Sequence, residues 1–142
     1  MKRYTHVKIL LAAGLLCLAL GGCATPRETL YDALGGSAGI DQITRALIVQ
    51  IGNAPDIRPF FEETDLERFQ SKLNEQLCQV SGGPCDYTGD PMDKVHAGMD
   101  ITEANFNRLV ELLIDAMDET GIPHPIQNQL LARLAPLRAE ML

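Results

Sequence analysis

Gly82-Gly83-Pro84-Cys85-Asp86-Tyr87-Thr88-Gly89-Asp90-Pro91-Met92-Asp93-Lys94-Val95-His96-Ala97-Gly98-Met99-Asp100-Ile101-Thr102 is the stretch on which the fold turns. It opens with a glycine pair and a proline, which stop a helix. It then runs through Gly, Pro and Asp without periodicity, and a structureless segment of that length inside a small domain points to a functional site. A single helical turn over Met92–Ala97, broken by Gly98, carries His96. Thr102 is an N-cap for the next helix, and Ile101 before it is placed to staple to Phe106.

On either side of this stretch the apolar spacing is helical. Upstream, Leu66, Phe69, Leu73, Leu77 and Val80 form one stripe, opened by a Thr64-x-x-Glu67 capping-box pattern. Before that, Ile40, Ile43, Leu47 and Ile51 form another, with Ile48 beside it. Ser37 is its candidate cap, and Gly52-Asn53 with Pro55 are its stop signals. Ile57-Arg58-Pro59-Phe60-Phe61 is a connector. Downstream, Phe106, Leu109, Val110, Leu113 and Met117 make a third stripe. Ile126, Leu130, Leu134, Leu137 and Met141 make a fourth, which begins near Pro125 and is kinked or shifted in register at Pro136. No segment alternates as a strand does, so the chain reads as all-α. Helices this short need each other, and two antiparallel pairs, first with second and third with fourth, would bury the stripes.

The 142 residues allow one domain, and 46% hydrophobic with 22% charged residues is a globular composition. Lys2, Arg3 and Lys8 precede an apolar run from Ile9 to Leu20, about 18 Å long as a helix against a hydrocarbon core of about 30 Å. The run is too short to span and has the layout of a secretory signal. It ends in Leu20-Gly21-Gly22-Cys23, which resembles the bacterial lipobox. That resemblance implies removal of residues 1–22, acylation of Cys23, a tether over 23–29 and a folded domain over 30–142. Ala24, where an aspartate would retain a lipoprotein in the inner membrane, directs it to the periplasmic face of the outer membrane. Several acyl chains on one cysteine hold stably where one is marginal. Without residues 1–22 the chain keeps nine basic residues against nineteen acidic, a charge of −10. With no tryptophan and only seven other aromatics as well, this excludes nucleic acid as a partner.

Cys17 leaves with the signal and Cys23 takes lipid, so Cys78 and Cys85 remain. Export puts them where a disulfide can form, across Ser81-Gly82-Gly83-Pro84. Two unpaired thiols are the other reading, and a structural zinc would need more ligands than two cysteines supply. Of the histidines, His6 lies in the signal. His124 sits between two prolines as an exposed turn residue. His96, taken alone, reads as a structural residue.

The surroundings of His96 change that reading. The Gly82–Thr102 stretch resembles the truncated haemoglobins, group I. So do Leu30-Tyr31-Asp32-x-Leu34-Gly35-Gly36, Pro59-Phe60-Phe61 and Ala135-Pro136-Leu137, in that order along nearly the whole exported chain. The resemblance implies a two-over-two helical sandwich holding haem (iron protoporphyrin IX), with His96 as the proximal iron ligand. A neutral imidazole nitrogen is a good axial donor, and its other nitrogen should find a carbonyl or carboxylate. Phe61 matches the phenylalanine that packs on the haem plane. Phe69, Leu73 and Leu77 would roof the distal side. Met92, Val95, Ile101 and Phe106 would line the proximal side and edge, and Lys72 would reach a propionate.

Two positions depart from the family. Ile48 stands where group I members usually carry a tyrosine, and Leu73 where a glutamine commonly faces the ligand. The mapped pocket is therefore nearly all apolar, with Gln76 the nearest candidate donor. Loss of a donor predicts faster oxygen release and a relative preference for carbon monoxide or nitric oxide. The leading reading is a lipid-anchored haem protein that binds oxygen or another diatomic gas. The alternatives are a nitric oxide dioxygenase fed by an external reductant, a redox sensor switched at Cys78–Cys85, and a haem-free helical envelope module.

Overall fold

The computed structural model describes residues 28–142; the signal segment, Cys23 and most of the tether lie outside the described residues. The order is α1 (Leu30–Ala33), α2 (Gly36–Asn53), a 3-10 turn (Arg58–Phe61), α3 (Leu66–Val80), α4 (Met92–Val95), α5 (Glu103–Glu119), α6 (His124–Leu134) and a closing 3-10 segment (Ala135–Glu140). No strand occurs among the described residues. No described helix is long and apolar enough to cross a membrane.

Local chemistry sets the helix starts. Thr102 and Asn105 form a reciprocal capping box at α5: each side chain accepts from the other residue's backbone N–H, at 3.2 and 3.1 Å. At α3 the cap is Asp65, one residue after the expected Thr64, and its carboxylate accepts from Arg68 N–H at 3.0 Å. A carboxylate suits the positive end of the helix dipole better than a hydroxyl does. The start of α2 also differs from expectation. Ser37 lies inside the helix and caps nothing, because Gly35 (φ 87°) and Gly36 (φ 64°) turn the chain in left-handed conformations two residues earlier. The short α1 was not anticipated; Thr29 and Asp32 close a capping box around it.

The core is built around α2, which buries Ile40, Ile43, Thr44, Ala46, Leu47 and Ile51. It packs against both α3 and α5, meeting Leu77 and Cys78 of the first and Leu112, Leu113, Ala116 and Met117 of the second. The third and fourth helices pair as expected, but loosely. Helices α5 and α6 touch sparsely, because Leu109, Val110 and Leu113 of one and Leu131 and Leu134 of the other line a cavity instead of filling each other's grooves. Buried Gln127 ties their ends together, donating to Asp118 Oδ1 at 2.6 Å and to the Ile122 carbonyl at 2.8 Å. At Pro136 the fourth helix tightens into the closing 3-10 segment, as the missing N–H of proline requires.

Between α3 and α4 the chain is irregular but pinned. Cys78 and Cys85 are joined by a disulfide with 5.9 Å between their Cα atoms. Gly83 lies against the Tyr31 ring and the Cys78 sulfur with no space for a side chain. Gly82 has φ 83°, so the two glycines serve different needs, one conformation and the other room.

Candidate functional site

The cavity between α3, α4, α5 and the C-terminal segment measures about 650 Å³, well within the range of small-molecule sites. Its walls are mainly apolar. Helix α3 contributes Phe69, Leu73, Gln76 and Leu77, and α2 contributes Leu47. Met92, Val95 and His96 come from the α4 turn, and Phe106 comes from α5. The far end of the chain closes it with Leu137 and Met141.

His96 is half-buried and ends α4. Its Nδ1 lies 2.8 Å from the Met92 carbonyl oxygen. A carbonyl can only accept, so Nδ1 carries a proton, and in the neutral ring Nε2 is the nitrogen with the free lone pair. This is the tautomer that an axial metal ligand needs, with its ring orientation fixed by backbone. The turn holds it there because the His96 backbone N–H also donates to Met92 O, at 3.1 Å. Gly98 (φ 77°) and Asp100 (φ 50°) then swing the chain into α5.

Lys72 lines the wall, but its ammonium is already engaged. It donates to Glu75 Oε1 at 2.7 Å and to Thr88 Oγ1 at 2.6 Å. Glu75 in turn accepts from the Thr88 N–H at 2.9 Å and hydroxyl at 2.8 Å. Lys72 first, then Thr88, holds the Glu75 carboxyl down at about 2. The cluster fixes the loop before His96 to α3. Arg138, also in the wall, pairs with Glu103 at 2.6 Å and stands 5.9 Å over the Phe106 ring.

Three residues expected at the pocket lie outside its wall. Ile48 is half-buried, but Leu47, one helical step round α2, faces the cavity. Phe61 stands one layer behind, edge-on to Phe69 with ring centroids 5.2 Å apart. Ile101 is half-buried just ahead of the Thr102 cap and takes no part in the wall. Tyr87 was overlooked. Its ring lies in the wall and its hydroxyl donates to the Asp90 carbonyl at 2.9 Å. Burial, with the Asp90 and Glu75 carboxylates nearby, raises its phenol above the ordinary value. The Tyr87-Thr88-Gly89 signal was available, since Gly89 leaves room only for that ring. His124 is exposed, 3.8 Å from Asp118. Among the described residues, no group of three His, Cys, Asp or Glu side chains forms a metal site of its own. One imidazole in an apolar cavity thus fits a metal brought in by an organic cofactor.

A family model described as bacterial-like globin matches residues 29–142. The chain is a bacterial-like globin. This globin is 31% identical over 113 residues to the group 1 truncated hemoglobin GlbN of Mycolicibacterium paratuberculosis, covering 80% of this chain and 83% of that one. It is 32% identical over 115 residues to the GlbN of a Nostoc species, covering 81% and 98%. Among solved structures, the truncated hemoglobin of Tetrahymena pyriformis in its Fe(III) form superposes with a TM-score of 0.77 at 24% identity, covering 80% of this chain and 97% of that one. The group II truncated hemoglobin of Bacillus anthracis does so with 0.73 at 28%, covering 83% and 93%. The fold is the two-over-two sandwich of these proteins, with α2/α3 and α5/α6 as its pairs. The globin's cofactor is haem, and the globin is a haem-binding, gas-binding protein.

Proposed function

We propose that His96 is the proximal haem ligand of a lipid-anchored globin that binds oxygen or another diatomic gas, nitric oxide or carbon monoxide, in the bacterial envelope. The observation that carries this reading is the Nδ1–Met92 carbonyl contact at 2.8 Å, which leaves Nε2 free in an apolar cavity. Haem iron supplies reversible binding of a diatomic gas. The protein's own residues do the rest. Met92 holds the imidazole in one tautomer, and Phe69, Leu73 and Leu77 keep water from the gas side. Phe106 and Leu109 bound the porphyrin space, and Lys72 and Arg138, paired with Glu75 and Glu103 in this structure, would share their charge with the carboxylates of a porphyrin.

The anchor reading rests on Leu20-Gly21-Gly22-Cys23. Acylation of Cys23 would leave a tether over residues 23–29, and with Ala24 next in line it would hold the globin at the periplasmic face of the outer membrane. The decisive experiment is an absorption spectrum of the ferrous protein, alone and under carbon monoxide. Wild type should show a Soret band that shifts with the gas, and His96→Ala should lose that shift or bind haem weakly. A colourless wild type after incubation with hemin overturns the reading. For the anchor, a labelled fatty acid should enter the full-length protein and not Cys23→Ala.

A further inference from the structure

We infer that residues 135–142 are a lid that opens to admit haem and shuts behind it, latched by the Arg138–Glu103 ion pair; this rests on the haem site proposed above. The segment supplies Ala135, Leu137, Arg138 and Met141 to the cavity wall, yet none of its residues is buried. Neither Leu137 nor Met141 packs against the hydrophobic core, so the apolar partner they lack is the occupant of the cavity.

Its attachments are slight. Among the described residues, one side-chain hydrogen bond ties it to another element, from Arg138 Nη2 to Glu103 Oε1 at 2.6 Å. Those two side chains are 44% and 74% exposed, and an ion pair so solvated holds weakly. The guanidinium over the Phe106 ring adds a modest cation–π attraction. The segment also touches α4. A hinge is built in, since α6 ends at Leu134 and Pro136 has no N–H to continue its hydrogen-bond ladder. The other walls are held more firmly. Helices α3 and α5 are packed on α2, and α6 is anchored by buried Gln127 and Leu130. The α4 turn buries nothing either, but Thr88 clasps the loop before it to α3, and the Thr102 capping box fixes the chain after it. Local opening is easiest where buried apolar contacts are fewest. The wall that moves is therefore the C-terminal one, and it shuts when Leu137 and Met141 bury their apolar area on the cofactor.

Transfer of haem from the ferric holoprotein to excess apomyoglobin, followed by absorbance, tests the latch. Glu103→Gln should quicken haem loss about threefold, the scale of one exposed ion pair. Arg138→Gln should do at least as much, and the double variant no more than Arg138→Gln, because both changes break one contact. Glu103 is the informative position, since it lies outside the cavity wall. Were Arg138 to act only on a porphyrin carboxylate, Glu103→Gln would free the guanidinium and slow the loss. Slower or unchanged loss in Glu103→Gln thus overturns the inference. Glu111→Gln breaks another exposed α5 pair, with Arg108, two turns further along, and should leave haem loss as it is; equal acceleration there overturns the latch. Hydrogen exchange tests the lid itself. In the haem-free protein the amides of residues 137–142 should exchange far faster than those of Leu112 and Leu113, and haem should slow them. Protection that is the same with and without haem overturns the lid. If wild type shows its Soret shift and Glu103→Gln keeps haem as long as wild type does, only this inference fails. A wild type without that band refutes the haem site itself.

Discussion

Gly83 marks a place where one methyl group should be costly. A Cβ built there would lie 2.5 Å from Tyr31 Cδ2 and 2.6 Å from Cys78 Sγ. Carbon contacts are comfortable at about 3.5 Å, so ring and sulfur would each have to retreat by about 1 Å. Neither can do so freely. Cys78 is buried at 3% exposure and bonded to Cys85. Tyr31 is held by its own N–H on the Ser81 carbonyl at 3.1 Å, and Gly83 N–H is held on the Cys78 carbonyl at 2.8 Å. Overpacking of this kind costs about 1–3 kcal/mol, against a gain of about 0.4–1 kcal/mol from stiffening the unfolded chain. Gly83→Ala should therefore destabilise the protein by about 1 kcal/mol, or lower the Tm by roughly 5 °C in a domain of this size. Gly52, exposed in the last turn of α2 with nothing within 4 Å of its would-be Cβ, is the internal control. Gly52→Ala should stabilise by about 0.5 kcal/mol. Urea unfolding of the haem-free proteins, followed by circular dichroism, gives both values. Equal shifts for the two variants, or a Gly83→Ala protein as stable as wild type, would refute the packing described around the loop.

Replacing Cys78 and Cys85 together by serine should lower the unfolding free energy by about 2.5 kcal/mol, the chain-entropy value for a loop this short; a urea midpoint matching that of wild type would contradict it. Glu75 supplies a pH dependence. Its pKa falls from 4.5 to about 2 in the folded protein, so its contribution is complete above pH 5 and is lost as the pH falls toward 2. The Tm of wild type should therefore drop more between pH 5 and pH 3 than that of Glu75→Gln. Parallel curves would show that the Lys72–Glu75–Thr88 cluster adds no pH-linked stability.

Much of this fold was legible because its signals are local. The Thr102 cap, the stripe from Phe106 to Met117 and the stop at Gly82-Gly83-Pro84 each depend on neighbours a few residues away. The errors share a cause in distance or in competition between neighbours. Ser37 and Thr64 are good caps by type, but Gly35 and Asp65 do that work in the chain's actual path. Ile48 and Leu47 differ by one helical step, and no pattern within α2 says which of the two faces a cavity formed by other helices. That Lys72 meets Thr88, sixteen residues on, is invisible to a helical periodicity. Gln76 was legible as the polar residue nearest the pocket, but that its Oε1 is buried without a partner appears only in the fold. The sparse contact of α5 with α6 escaped for the same reason, since stripes announce burial without saying whether protein or cofactor does the burying.

One wall of the cavity comes from Leu134, Ala135, Leu137, Arg138 and Met141, all well downstream of His96. A pigment is fully enclosed only once this segment has folded back, because without it the chamber lacks a side. A chain truncated after Leu134 would lose most of that wall and keep its imidazole.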